Sequence, residues 1–117
     1  MLNAALNAQT FDVYVTAPGA DLSTATPRFT GVAYKHMAPD SGADSLEVEA
    51  DTYRLRIAPA GSKTVIFDGT VFVPKNGDWL LVVLPDDASP LTTNAVRVLL
   101  VRSDDTNDAT DELLNQP

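Results

Sequence analysis

Apolar and polar residues alternate with a period of two along most of this chain, the pattern of strands with one buried face. In "TFDVYVT", Phe11, Val13 and Val15 alternate with Asp12, Tyr14 and Thr16. In "SLEVEADTYRLRIA", Leu46 and Val48 face one way and Glu47 and Glu49 the other, and Tyr53, Leu55 and Ile57 then alternate with Arg54 and Arg56. A tight turn at Ala50-Asp51 would set Glu47 opposite Arg54 on an outer face. "IAPAGSKTVIF" predicts a second turn at Pro59 and Gly61, and Asn76-Gly77 in "VFVPKNGDWLLVVL" is a hairpin signal. Asp68-Gly69 fits either a tight hairpin or a bulge at which a strand changes sheets. "WLLVVL" is continuously apolar, as in a central strand covered on both faces. "RFTGVAYKH" is a weaker strand, and "APGADLSTATP" before it is a loop.

Helical period with caps is confined to "TNDATDELLNQP", where Thr106 or Asp108 would cap a short helix through Glu112-Leu113-Leu114. Short strands spaced by turns therefore predict an all-β fold, an antiparallel sandwich of about seven or eight strands. The expected core is Phe11, Val13, Val15, Leu46, Val48, Tyr53, Leu55, Ile57, Val65, Phe67, Val71, Val73, Leu81, Val83, Val98 and Leu100. The expected division is a sandwich over 1–102 and an acidic tail or linker over 103–117. "NAVRVLLVRSDD" is ambiguous between the last strand of this domain and the first strand of a following one. No new "VDVYV"-like strand follows it, so Val96 to Val101 is expected to pair within this domain.

Composition narrows the function. The 117 residues carry 16 acids and 8 bases, a net charge of −8. Five acids follow Ser103, leaving 11 acids against 8 bases in the rest. This balance argues against binding to nucleic acid or to an anionic membrane. The absence of cysteine removes disulfides, thiolate metal sites and thiol catalysis. No segment approaches the ~18 apolar residues of a membrane-spanning helix. Folded-looking sequence follows Met1 without the regions of a signal peptide, and the chain is expected to be one module of a longer protein.

Leu2-Asn3-Ala4-Ala5 and Phe11-Asp12-Val13-Tyr14-Val15 resemble the opening of a bacterial extracytoplasmic family, domain-of-unknown-function family four-three-nine-seven. That family opens with a pattern like V-R-V-x-[HN]-A-S followed by V-D-V-Y-V. Asp51-Thr52-Tyr53-Arg54-Leu55-Arg56-Ile57 fits its later G-x-Y segment, with Asp51 in place of Gly. Val71 to Leu84 matches its next strands. The likeness runs from about Leu2 to Leu100, and the family's first strand would begin a few residues before Leu2. The resemblance implies an immunoglobulin-like sandwich in exported bacterial proteins (periplasmic, anchored to the outer membrane or extracellular), often in tandem copies or lipid-anchored. It implies no catalytic residues and no cofactor.

Candidate chemistry is sparse. His36, the only histidine, lies near Asp40 and Asp44 in sequence. It is a base or ligand in one reading and an exposed loop residue in the other, and no nucleophile motif accompanies it. Asp86, Asp87, Asp104, Asp105 and Asp108 supply oxygen ligands of the kind calcium takes, without the spacing or glycine of an EF-hand. An acidic solvated linker is the simpler account. Tyr14, Tyr34 and Trp79, with His36, are candidates for ligand contact, the aromatics as a sugar-stacking platform. The favoured expectation is a non-catalytic structural or interaction module of a bacterial envelope or surface protein. It would meet protein, glycan or neighbouring repeats, or a second copy through an open sheet edge. The alternatives are a carbohydrate- or calcium-binding module and an accessory domain of an envelope enzyme.

Overall fold

The computed structural model describes residues 1–5, 10–37, 49–74, 78–85, 96–103, 108–113 and 115. Its strands are β1 (Leu2–Asn3), β2 (Phe11–Thr16), β3 (Phe29–Val32), β4 (Asp51–Pro59), β5 (Phe67–Val73), β6 (Asp78–Pro85), β7 (Val96–Ser103) and β8 (Asp108–Leu113). They form two four-stranded sheets, ordered β3-β2-β4-β5 and β1-β6-β7-β8. All pairings are antiparallel except that of β1 with β6. The fold is an all-β sandwich.

Alternation explains how the sheets meet. Phe11, Val13, Leu55, Ile57 and Phe67 face inward from the first sheet, and Val83, Val96, Val98, Leu100 and Leu113 from the second. Val15, Val71, Trp79 and Leu81 pack around them, partly buried. Tyr53 and Val73 are also partly buried, while Val65 is exposed because β5 begins only at Phe67. Leu46, Val48 and Glu47 lie outside the described residues.

Val96 to Val101 pairs within the domain, as expected, running between β6 and β8. Several other expectations are corrected. The acidic segment 108–113 is a strand hydrogen-bonded to β7, not a helix in a tail. Asp68-Gly69 is neither turn nor bulge; both residues sit inside β5, in register with Arg56 and Leu55. Asn76-Gly77 lies outside the described residues, but β5 and β6 belong to different sheets, so no hairpin joins them. The expected turn at Pro59 and Gly61 does join β4 to β5. β6 is a central strand, yet only Val83 within it is fully buried; Leu80, Val82 and Leu84 on its outer face remain partly accessible.

Two buried polar side chains tie the loops to this frame. The Asp12 carboxylate accepts the Gly31 amide at 2.9 Å and the Gly61 amide at 3.0 Å. Both glycines have positive φ (62° and 78°), which a side chain would strain although space for one exists. Asn3, fully buried, donates Nδ2 to the Val32 carbonyl and accepts the Ala5 amide on Oδ1. Its backbone bonds to His36 and Lys35, with Lys35 at φ 69°. Asn3 thus pins β1 to the turn after β3, across the two sheets.

Candidate functional site

The outer face of the first sheet carries most of the polar chemistry described. The pleat that sends Val13, Leu55 and Ile57 inward sends Tyr14, Arg54, Arg56 and Asp68 outward. The loop 17–28, between β2 and β3, folds over this face as a strap. Arg56 donates Nη2 to Thr16 Oγ1 at 2.9 Å and to the Ala20 carbonyl at 3.1 Å. Lys63, from the β4–β5 turn, donates Nζ to the carbonyls of Leu22 and Ala25 at 3.0 and 2.6 Å. The same ammonium stands 4.5 Å from the centre of the Tyr14 ring, close enough for cation–π attraction. The strap contains one turn of 3-10 helix, Leu22–Thr24, capped by Asp21.

Electrostatics follows this geometry. Arg54 grips Asp68 through two bonds, Nε to Oδ1 at 2.8 Å and Nη2 to Oδ2 at 2.5 Å. That fork holds the Arg54 guanidinium charged even more firmly than usual. Across the strands Arg54 stands beside Thr16 and Thr70, because β2 and β5 flank β4; Glu47, expected opposite it, lies outside the described residues. Arg56 is 4% exposed, and burial, then the nearby Arg54 charge, lowers its pKa from the ordinary value. Its Nε finds no acceptor among the described residues. The Asp21 carboxyl is held below the usual range by the Ser23 amide and then the Ser23 hydroxyl, both at 2.9 Å from Oδ1.

The expected site residues are not brought together. Tyr14 does lie opposite Phe11, Val13 and Val15, but it is 2% exposed, covered rather than free to meet a ligand. Trp79 is in the other sheet and packs against the core. Its indole lies under Arg102, 5.8 Å from the ring centre, and Arg102 pairs with Asp111. Tyr34 is exposed on a different loop, under its neighbour Lys35. No protein-family model, curated protein or solved structure matches this chain. The His36 side chain is exposed and has no hydrogen-bond partner among the described residues, and its backbone carbonyl accepts from Asn3. Asp40, Asp44, Asp86, Asp87, Asp104 and Asp105 lie outside the described residues, and Asp108 opens β8. Among the described residues no three His, Asp or Glu side chains converge as a metal site would require.

Asn3, Asp12, Arg54, Arg56 and Lys63 were missed as a functional group by reasoning from sequence. A polar residue on an alternating strand reads as solvated, and nothing local shows that a loop will cover it. The signal available was the pair of outward arginines on β4 beside a loop dense in carbonyls and short of charges.

Proposed function

We propose that this chain is a non-catalytic sandwich module that acts by contact, within an exported bacterial envelope or surface protein. One observation carries the reading. The charged side chains on and beside the outer face of the first sheet are committed to holding the fold. Asp12 holds two loop amides, Lys63 two strap carbonyls, Arg56 a third, and Arg54 and Asp68 each other. Catalysis needs convergent polar groups left free for substrate; here they are occupied by backbone. Such a face stiffens a scaffold, and a stiff scaffold presents loops, edges and outer sheet faces. The export and family parts of the reading rest on the likeness of the "FDVYV" and "DTYRLRI" segments alone.

Two measurements test it. The protein is offered chromogenic esters, phosphate esters and glycosides, alongside a His36→Ala variant. No turnover above buffer is expected; turnover that falls tenfold or more in the variant would overturn the non-catalytic reading. A tagged parent gene expressed in a bacterial host is expected in the envelope or medium, and purely cytoplasmic recovery would overturn the exported placement.

A further inference from the structure

Every open sandwich has edges, and among the described residues four strands form them: β3 and β5 in one sheet, β1 and β8 in the other. Three are poor templates for another strand. β1 has two residues. β3 has four, with Gly31 at positive φ and an irregular register against β2. β8 carries Asp108, Asp111 and Glu112 along its length, the kind of charge that blocks edge pairing. β5 is different. It has seven residues in continuous register with β4, and its one charge, Asp68, is neutralised by Arg54. Phe72 on it is 62% exposed.

The edge also shows which of its groups point outward. The Asp68 amide donates to Asn115 Oδ1 at 3.0 Å, away from β4. Backbone direction alternates in an antiparallel pair, so the amides and carbonyls of Thr70 and Phe72 point the same way. No hydrogen bond takes the Thr70 and Phe72 groups among the described residues. Asn115 supplies one acceptor where a neighbouring strand would supply several.

We propose that β5 is the edge through which two copies of this chain associate, antiparallel about a two-fold axis at Thr70. The inference rests on the contact-module reading above and names its surface. Outward groups sit at 68, 70 and 72, and a two-fold at Thr70 is the register that pairs all three. Thr70 meets the partner's Thr70, a favourable cross-strand pair. Asp68 meets the partner's Phe72, and the reverse. Each exposed ring then lies against the other copy's Arg54–Asp68 fork, whose guanidinium offers a flat cation to an aromatic face. The partner's Phe72 carbonyl takes over the amide now held by Asn115. The surface is thus complementary to itself, as an isologous contact requires, and the two sheets join into one of eight strands. A generic extended peptide would satisfy the backbone but would not match Phe72 to the fork.

The test uses the whole chain. Sedimentation velocity from about 10 μM to 1 mM should show a monomer–dimer equilibrium, since an edge contact lies at the weak, small end of interfaces. Phe72→Lys should move the midpoint at least tenfold higher while leaving the thermal unfolding curve in place. Thr70→Cys introduces the only thiol, and a hydrogen-bonded pair holds its Cα atoms about 5.5 Å apart, within disulfide reach. Under mild oxidation it should form a covalent dimer faster than Ser23→Cys on the strap. A monomer throughout the range would overturn the proposal. So would a dimer indifferent to Phe72→Lys whose Thr70→Cys form cross-links no faster than the Ser23→Cys control. If Phe72→Lys does not fold, the cross-linking rates decide alone. None of these failures touches the turnover and localisation results, so the loss of this interface and the loss of the module reading are distinguishable.

Discussion

The two sheets share one core but treat their outer faces in opposite ways. On the first sheet the outer face is polar and roofed: Tyr14, Arg54, Arg56 and Asp68 lie there, and the strap 17–28 is bonded down over part of it. On the second sheet the outward positions of β6 and β7 are mostly aliphatic, Leu80, Val82, Leu84, Leu99 and Val101, with Val101 exposed. Arg102 and Asp111 are an exception of another kind, because they point to the core side at the open end of the sandwich, beside Trp79. Among the described residues, then, one sheet face is finished by hydrogen-bonding a loop onto charges and the other mostly by aliphatic side chains. The first way makes stability depend on a few polar groups, and the second spreads it over many small contacts.

Substitutions can break or sharpen that contrast. The largest loss is expected for Asp12→Ala, which removes the buried carboxylate that the amides of Gly31 and Gly61 share. Two bonds to a charged acceptor are worth about 3–5 kcal/mol, readable as a fall in the urea midpoint. Tyr14→Ala should follow at about 3 kcal/mol, the cost of emptying a buried aromatic site. Amide exchange should then speed up in the strap before it does in β7. Equal acceleration in both would mean that the roof is not specific to the first sheet. Arg54→Ala, which takes an accessible guanidinium from a largely buried carboxylate, should lower the urea midpoint less than Asp12→Ala or Tyr14→Ala but more than Arg102→Ala does. Arg102→Ala, on an ion pair whose carboxylate is over half exposed, should cost no more than about 0.5 kcal/mol. If these last two matched, the contrast between the sheets would fail.

The smallest effect is one of pH. Asp21 has a folded pKa below its ordinary 3.8. Its unfolded form therefore binds protons first as pH falls, and the cap contributes stability above the ordinary value and loses it as pH drops through the folded one. The difference in melting temperature between the wild type and Asp21→Ala should be constant from neutral pH to about 5 and shrink once the pH has fallen below the ordinary 3.8, vanishing when the folded carboxyl is itself protonated. A difference that persisted in acid would show that the carboxylate charge is not what holds the strap.

What was legible in the sequence was whatever the local apolar pattern decides. β2 and β4 were read from their alternation and β6 and β7 from their apolar runs, along with the inward set Phe11, Val13, Leu55, Ile57, Val83 and Val98. What escaped was decided by neighbours far along the chain. Asp108–Leu113 has the composition of a capped helix and little intrinsic strand preference, and it is a strand because β7 offers it a free edge. Asp68-Gly69 looks like a turn, but Arg54 fixes Asp68 in a strand. Tyr14 was placed on the correct side of the pleat and wrongly left in water, because the strap that covers it is held by Lys63, nearly fifty positions later. Asn76-Gly77 carries the local chemistry of a hairpin, whereas its flanking strands lie in opposite layers. The candidate site fared worse than the fold for the same reason. Its expected members were chosen one at a time by residue type, and the polar groups that do meet are joined by pairings no local window contains.

One pairing bears on how the molecule is made. β1 runs parallel to β6, with Leu2 beside Val82 and Asn3 beside Val83. The first strand of this domain to be synthesised therefore has no seat until about two thirds of the domain has followed it, and such distant contacts are slow to form. Until then Asn3, later fully buried, must wait in solvent. The domain cannot mature in the order in which it is synthesised: its beginning is locked in place by its second half.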